Sequence, residues 1–197
     1  MPTLLQIRSS IIAENSQSNA LMNAYTEAWK VRTPEGQIIV RDLAAEPLPV
    51  LDSATLGALM TAADERSAEQ QVVVALSDQL IEEVRTADQI LIGIPMYNFG
   101  IPVQLKAWFD LLARAGVTFK YTETGPVGLL PDTPVVMFAT RGGIYHANGQ
   151  DYQMPYVEQF LAFIGLTQTE TVFAEGLNMG QAETAKAAAQ RQIAALV

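Results

Sequence analysis

The sequence has no cysteine, a single histidine and no long apolar run, and each gap removes a class of chemistry. Without cysteine there is no disulfide, no thiolate metal site and no thiol nucleophile, while a reducing compartment is permitted. Lys and Arg number 12 against 21 Asp and Glu, for a net charge of −9. Clustered basic residues, which a phosphate backbone demands, are thus missing, and nucleic acid is not an expected partner. No stretch approaches the roughly 18 apolar residues of a membrane span, and MPTLLQIRSS at the start lacks the apolar core of a signal peptide. A soluble cytoplasmic protein with no membrane partner is expected.

At 197 residues the chain is the size of one domain, so a single domain spanning 1–197 is expected. Along it, apolar runs alternate with amphipathic segments. TLLQI (3–7), QIIVRDL (37–43), DQILIGI (88–94), PVVMFA (134–139) and ETVFA (170–174) read as five strands. Between them, helices are predicted over 18–31, with Leu21, Met22, Tyr25 and Trp29 on one stripe, and after Ser67, where Ser67-Ala68-Glu69-Gln70 has the form of a capping box. That second helix carries Val73, Leu76, Leu80 and Val84 on one face. Further helices are predicted from Pro102, in the first turn, to a stop at Gly116, over 153–164 to a stop at Gly165, and over 181–196. This alternation predicts an α/β fold, a five-stranded parallel sheet with helices on both faces. Such sheets bind ligands outside the carboxyl ends of their strands, where strand order reverses, which directs attention to the loops after the first, third and fourth strands.

Those three loops are the unusual ones. After the first strand, RSSIIAENSQSN runs into a helix near Ser18; a helix start offers unpaired N–H groups, and Ser16, Gln17 and Ser18 add side-chain donors suited to a phosphate. Neither G-x-G-x-x-G nor G-x-x-x-x-G-K-[ST] is present there, which counts against a dinucleotide Rossmann site and a P-loop NTPase. The plain alternative is a serine capping the helix. After the third strand comes Tyr97-Asn98-Phe99-Gly100, where an amide between two aromatics suits the edge and faces of a planar heterocycle; otherwise it is an ordinary turn with its aromatics in the core. After the fourth strand, ATRGGIYHANG places Gly142 and Gly143 where backbone N–H groups can reach a ring carbonyl or a developing anion, with Arg141 adding positive charge, or else is a glycine turn with Arg141 solvated. His146, the lone histidine, reads more readily as a surface residue than as a catalyst.

Taken together, SSIIAENSQSN, PMYNFGIPVQLKAWFDLLARAGVTFKYTETGPVGLL, TRGGIY and FAEG resemble the FMN-dependent NADH-azoreductases, a family related to the NAD(P)H:quinone reductases with a flavodoxin-like fold. The resemblance runs over essentially the whole chain, and its middle block is the specific part. It implies FMN as cofactor and NADH or NADPH as electron donor. It implies that the phosphate is held by Ser10, Ser16, Gln17 and Ser18, and the isoalloxazine by Met96, Tyr97, Asn98, Phe99, Thr140, Arg141, Gly142 and Gly143. Tyr121, Phe163 and Tyr145 would wall the substrate pocket of a homodimer whose flavin lies at the subunit interface.

The expected activity is the transfer of two electrons from NAD(P)H to a quinone or an azo bond, with the chemistry on the flavin and neither a catalytic side chain nor a metal. One ring face serving both donor and acceptor implies a ping-pong order. The rival readings are a flavodoxin-type electron carrier for protein partners, which the acidic charge suits, and a flavin-free interaction protein on the same fold.

Overall fold

The computed structural model describes residues 1–197, and its main sheet holds five parallel strands in the order β2-β1-β3-β6-β7. These are β1 (Thr3–Arg8), β2 (Gln37–Asp42), β3 (Gln89–Pro95), β6 (Val135–Thr140) and β7 (Thr169–Ala174). Burial explains the inner strands: β3 runs buried from Ile90 to Pro95, and β6 is buried throughout. Strands covered on both faces read as continuous apolar runs rather than alternations. Helix α1 (Gln17–Arg32) and helix α6 (Ala182–Leu196) lie on one face, where Leu21, Met22, Tyr25 and Trp29 pack with Ala189 and Ile193. On the other, α3 (Ala68–Thr86), α4 (Val103–Leu112) and α5 (Gln153–Ile164) enclose a larger core with Leu105, Trp108, Phe109 and Leu112 at its centre. The expected architecture, a five-stranded parallel sheet with helices on both faces, holds.

The chain runs from β1 outward to β2, then crosses back past β1 to β3 and on to β6 and β7, so strand order reverses between β1 and β3. Register does the rest: Pro95 pairs with Thr140 and Thr140 with Ala174, so the segments leaving β3, β6 and β7 start side by side.

Several elements differ from the sequence reading. Helix α4 ends at Leu112 rather than at Gly116, because Thr118 Oγ1 donates to the Leu112 carbonyl at 2.5 Å and turns the chain; Gly116 sits inside that turn at φ +77°. Pro102 stands at the N-cap with ψ 143°, just outside the helix. The capping box at Ser67 is present, but the inner face of α3 is Val74, Ser77, Leu80, Ile81 and Val84, with Val73 and Leu76 only half-buried. The face is rotated because Ser77 Oγ donates to the Leu111 carbonyl at 2.6 Å, so a hydroxyl takes a core position. Two short elements were not anticipated. One is α2 (Ser53–Met60), capped by Asp52; the other is a separate antiparallel hairpin of β4 (Phe119–Thr122) and β5 (Gly125–Gly128). No helix is long and apolar enough to cross a membrane.

Candidate active site

Ser16 opens α1: its Oγ accepts from Asn19 N at 3.1 Å, so it is a helix cap. That role leaves Gln17 N and Ser18 N with no acceptor in the protein, a pair of amides at the positive end of a sixteen-residue helix. Ser16 Oγ also lies 3.1 Å from Ser18 Oγ, and Ser10 Oγ lies 3.2 Å from the Tyr97 hydroxyl, tying this loop to the one after β3. The Ser18 side chain faces inward: a Cβ on Gly93 would meet its hydroxyl at 3.3 Å. No Lys or Arg side chain bonds to these hydroxyls, so the donors here are amides and hydroxyls alone.

After β3, Tyr97 and Gly100 exchange two backbone hydrogen bonds of 3.0 Å around Asn98 (φ 50°) and Phe99 (φ 69°). Both central residues are left-handed, the conformation of a tight mirror-image turn that glycine ordinarily supplies. A bulky residue there costs on the order of 1–2 kcal/mol. Phe99 is not in the core: it is 67% exposed and meets Tyr145 edge-on at 5.5 Å. Met96 N donates to the Thr140 carbonyl at 3.0 Å, which holds this turn against the loop after β6.

In that loop the carbonyls of Arg141, Gly142 and Gly143 accept from Leu177, Asn178 and Gly176 at 3.2, 3.0 and 2.8 Å. The N–H groups of Gly142 and Gly143 have no acceptor. A Cβ at Gly142 would meet Asn178 Nδ2 at 2.6 Å, and one at Gly143 the Tyr145 ring at 2.9 Å, so neighbouring side chains already crowd both glycines. His146 is exposed and stacks on Phe173 at 3.9 Å.

Arg141 departs from both sequence readings of its charge. It is 1% exposed and paired with Asp151 at 2.7 Å, with Glu175 at 4.0 Å and Phe173 under its guanidinium at 5.4 Å. Burial pushes its pKa down, while Asp151 and Glu175 oppose that shift. Its charge is thus met inside the protein. Three residues to which the sequence reading gave no site role join this network, Glu175 and Asp151 against Arg141 and Gln153 beyond Asp151. Glu175 accepts from the backbone N–H groups of Tyr145, His146 and Ala147 at 2.8, 2.8 and 3.2 Å. Asp151 accepts from Gln153 N and Met154 N at 2.9 and 3.0 Å, capping α5. Gln153 donates to the carbonyls of Pro95 and Gly100. The available signal was an aspartate two residues ahead of a predicted helix, a common capping pattern.

Ser10, Ser16, Gln17, Ser18, Met96 to Phe99 and Thr140 to Gly143 thus gather around the carboxyl ends of β1, β3 and β6. Tyr121 and Phe163 do not join them. They flank Phe119, at 5.6 and 4.2 Å, and Phe163 lies ten residues beyond Gln153 on α5, about 15 Å along a helix.

Free amides at a helix start suit a phosphate, and free amides on a glycine pair beside an aromatic turn suit a flat ring bearing carbonyls; the donor set fits FMN. The model for a flavodoxin-like fold matches residues 2–197. The chain is 53% identical over 193 residues to the FMN-dependent NADH:quinone oxidoreductase of Cellvibrio japonicus, covering 98% of this chain and 97% of that one. It is 50% identical over 186 residues to the protein of that name from Alcanivorax borkumensis, covering 94% of each. Among solved structures, a Bacillus anthracis azoreductase superposes with a TM-score of 0.90 at 31% identity, covering 100% of this chain and 98% of that one. A B. anthracis FMN-dependent NADH-azoreductase in complex with FMN also reaches 0.90, at 26% identity, covering 100% and 97%. The chain belongs to the flavodoxin-like family of FMN-dependent NADH:quinone oxidoreductases and azoreductases.

Proposed function

We propose that this protein is an FMN-dependent oxidoreductase that moves two electrons from NADH or NADPH to quinones and azo compounds. The observation that carries the reading is the pair of unsatisfied amide sets, Gln17 and Ser18 at one end and Gly142 and Gly143 at the other, on either side of the aromatic turn at 97–100. When bound, FMN supplies the hydride and electron chemistry, and the protein supplies binding, orientation and charge stabilisation. Gln17 N and Ser18 N, with the hydroxyls of Ser10 and Ser16, hold the phosphate. Asn98 addresses the ring edge, Tyr97 and Phe99 shield its faces, and the Gly142 and Gly143 amides stabilise negative charge on it. Arg141 serves this site as the buried counterion of Asp151 and Glu175.

The acceptor pocket is completed by a second copy. Tyr121 is 75% exposed on the β4–β5 hairpin and packs with Phe119, beside Phe163, rather than with the turn at 97–100, so as a wall of the pocket it serves the ring of a partner subunit. An apolar surface supports that partner: Val50, Leu51, Leu56 and Met60 are exposed beside a groove of about 400 Å³ lined also by Leu59, Ala113 and Phe119. Sedimentation should give a dimer, and a monomer with full activity contradicts this assembly.

Steady-state kinetics test the reaction. One pocket serves nicotinamide and acceptor in turn, so double-reciprocal lines are parallel and a reduced enzyme can be isolated between the half-reactions. An azo bond needs four electrons, so cleavage consumes two NADH. Intersecting lines contradict the shared pocket, and failure of free NADH to reduce the protein favours the electron-carrier reading.

A further inference from the structure

Two loops some 45 residues apart in sequence, 97–100 and 141–147, meet at this site, and one chain of polar contacts joins them. It begins at Glu175, whose carboxylate gathers the N–H groups of residues 145–147 and faces Arg141. Arg141 Nη2 donates to Asp151 Oδ2 at 2.7 Å, and Asp151 Oδ1 accepts from the backbone of Gln153 at 2.9 Å. Gln153 then donates through one Nε2 to two carbonyls, Pro95 at 3.0 Å and Gly100 at 2.9 Å. Gly100 closes the turn that carries Asn98 and Phe99 in left-handed conformations, and Pro95 is the last residue of β3, two residues before that turn. An amide NH₂ has two donors, and here one goes to the end of β3 and the other to the turn that follows it.

We propose that Asp151 and Gln153 are positioning residues, which with Arg141 form a buried relay that holds the aromatic turn in register with the Gly142–Gly143 amides. The proposal rests on the reading that these two loops hold the flavin ring.

Three features separate this relay from ordinary core packing. Every side chain in it is almost fully buried: Arg141 and Gln153 are 1% and 2% exposed, and the Asp151 side chain 4%. It is also incompletely satisfied, since Arg141 Nε and Nη1 and Gln153 Oε1 have no hydrogen-bond partner. A buried ion pair with orphaned donors is a poor stabiliser compared with apolar side chains of the same volume; what it supplies is geometry. Finally, the turn it grips is strained, and strain in a turn persists only where surrounding contacts over-determine it. Met96 N to Thr140 O and the two Gln153 bonds are those contacts.

The test uses the apoprotein and two probes, FMN and riboflavin, titrated by quenching of flavin fluorescence. They differ by the phosphate, so a defect at the ring end weakens both equally. Gln153→Met keeps the length of the side chain and removes its donors; it should raise both dissociation constants about tenfold and leave their ratio unchanged. Asp151→Asn should do the same to a smaller extent. Because both changes loosen one turn, the double variant should be no weaker than the worse single variant, a coupling that independent packing defects do not produce.

Amide exchange at Tyr97 and Gly100 gives a readout without ligand: protection should fall in Gln153→Met and Asp151→Asn. Circular dichroism reports whether each variant is folded, and Gln153→Asn, which keeps the amide but shortens its reach, replaces Gln153→Met if the latter does not fold. Dissociation constants within twofold of the parent, strictly additive losses, or unchanged protection at Tyr97 and Gly100 each overturn the relay. A parent apoprotein that binds neither flavin contradicts the proposed function instead; the relay then stands or falls on the exchange data.

Discussion

The two ends of the candidate FMN cradle are built by opposite means. At the phosphate end every donor comes from one short segment, Ser10 to Ser18: two free amides at a helix start and hydroxyls bonded to one another. No charged side chain takes part. At the ring end the parts come from distant segments, include two non-glycine residues at positive φ, and are joined through a buried ion pair and Gln153. An anion can be held by helix geometry that any well-capped helix provides. A flat ring requires two surfaces to be held apart at a set spacing, and that takes long-range contacts.

The sharpest way to break this comparison is Gly142→Val. A branched side chain enters where Asn178 Nδ2 already lies 2.6 Å from a Cβ, and the loop must shift. Overpacking of this kind costs about 1–3 kcal/mol, so FMN and riboflavin affinity should both fall, by as much as about a hundredfold. Loss of FMN affinity alone contradicts the assignment of this loop to the ring. Asn98→Ala should also impair flavin binding or reduction, whereas His146→Ala, which removes an exposed ring stacked on Phe173, should affect turnover least of the three.

Ser16→Ala addresses the other end. It removes a helix cap and a hydroxyl proposed to meet the phosphate, so FMN affinity should fall about tenfold while riboflavin affinity holds. Loss of the cap should lower stability by about 1 kcal/mol, read as a thermal shift. An equal loss for both flavins breaks the division into two ends.

Phe99→Gly tests the strain. Relief of a left-handed phenylalanine and the extra chain entropy of glycine oppose each other, so apoprotein stability should be unchanged or raised by up to about 1 kcal/mol. Ring affinity should drop because an aromatic wall is lost. A fall in apoprotein stability of more than about 1 kcal/mol means that the turn is not strained.

The smallest effect belongs to a control away from both ends. Asp132 accepts from Thr167 Oγ1 at 2.7 Å, Thr167 N at 2.6 Å and Gln168 N, and these bonds, the Thr167 hydroxyl first, hold its pKa below the ordinary carboxylate range. A lowered pKa contributes stability that is fully present above the unfolded value and is lost as pH falls through the folded one. The melting difference between the parent and Asp132→Asn should therefore shrink on acidification, with flavin affinity at neutral pH unaffected. A difference that widens in acid has the wrong sign for this account.

These contrasts also explain what could be read from the sequence. The five strands and their order-reversal loops were legible because strands buried on both faces are unbroken apolar runs and the helices carry clear stripes. The loop after the first strand, a serine-capped helix start, was legible because its contacts are local. Arg141 misled because a charge next to two glycines says nothing of Asp151, ten residues away, with which it pairs inside the protein. The roles of Gln153 and of Glu175, the acid of FAEG, could not be read for the same reason: their partners lie 53 or more and about 30 residues distant. The β4–β5 hairpin escaped because its strands are four residues long and contain Pro126 and two glycines. Helix α2 escaped because it follows Pro47 and Pro49 and contains Gly57.

The most direct test of the central claim is the flavin content of the purified protein and its response to NADH without oxygen. Extraction and chromatography should yield about one FMN per subunit, as a single phosphate cradle without a dinucleotide glycine fingerprint implies. The flavin absorbance should bleach on addition of NADH and return on addition of a quinone alone, after the nicotinamide has been removed. Stoichiometric FAD, a colourless protein that takes up no FMN, or a bound flavin that NADH leaves oxidised would contradict the account.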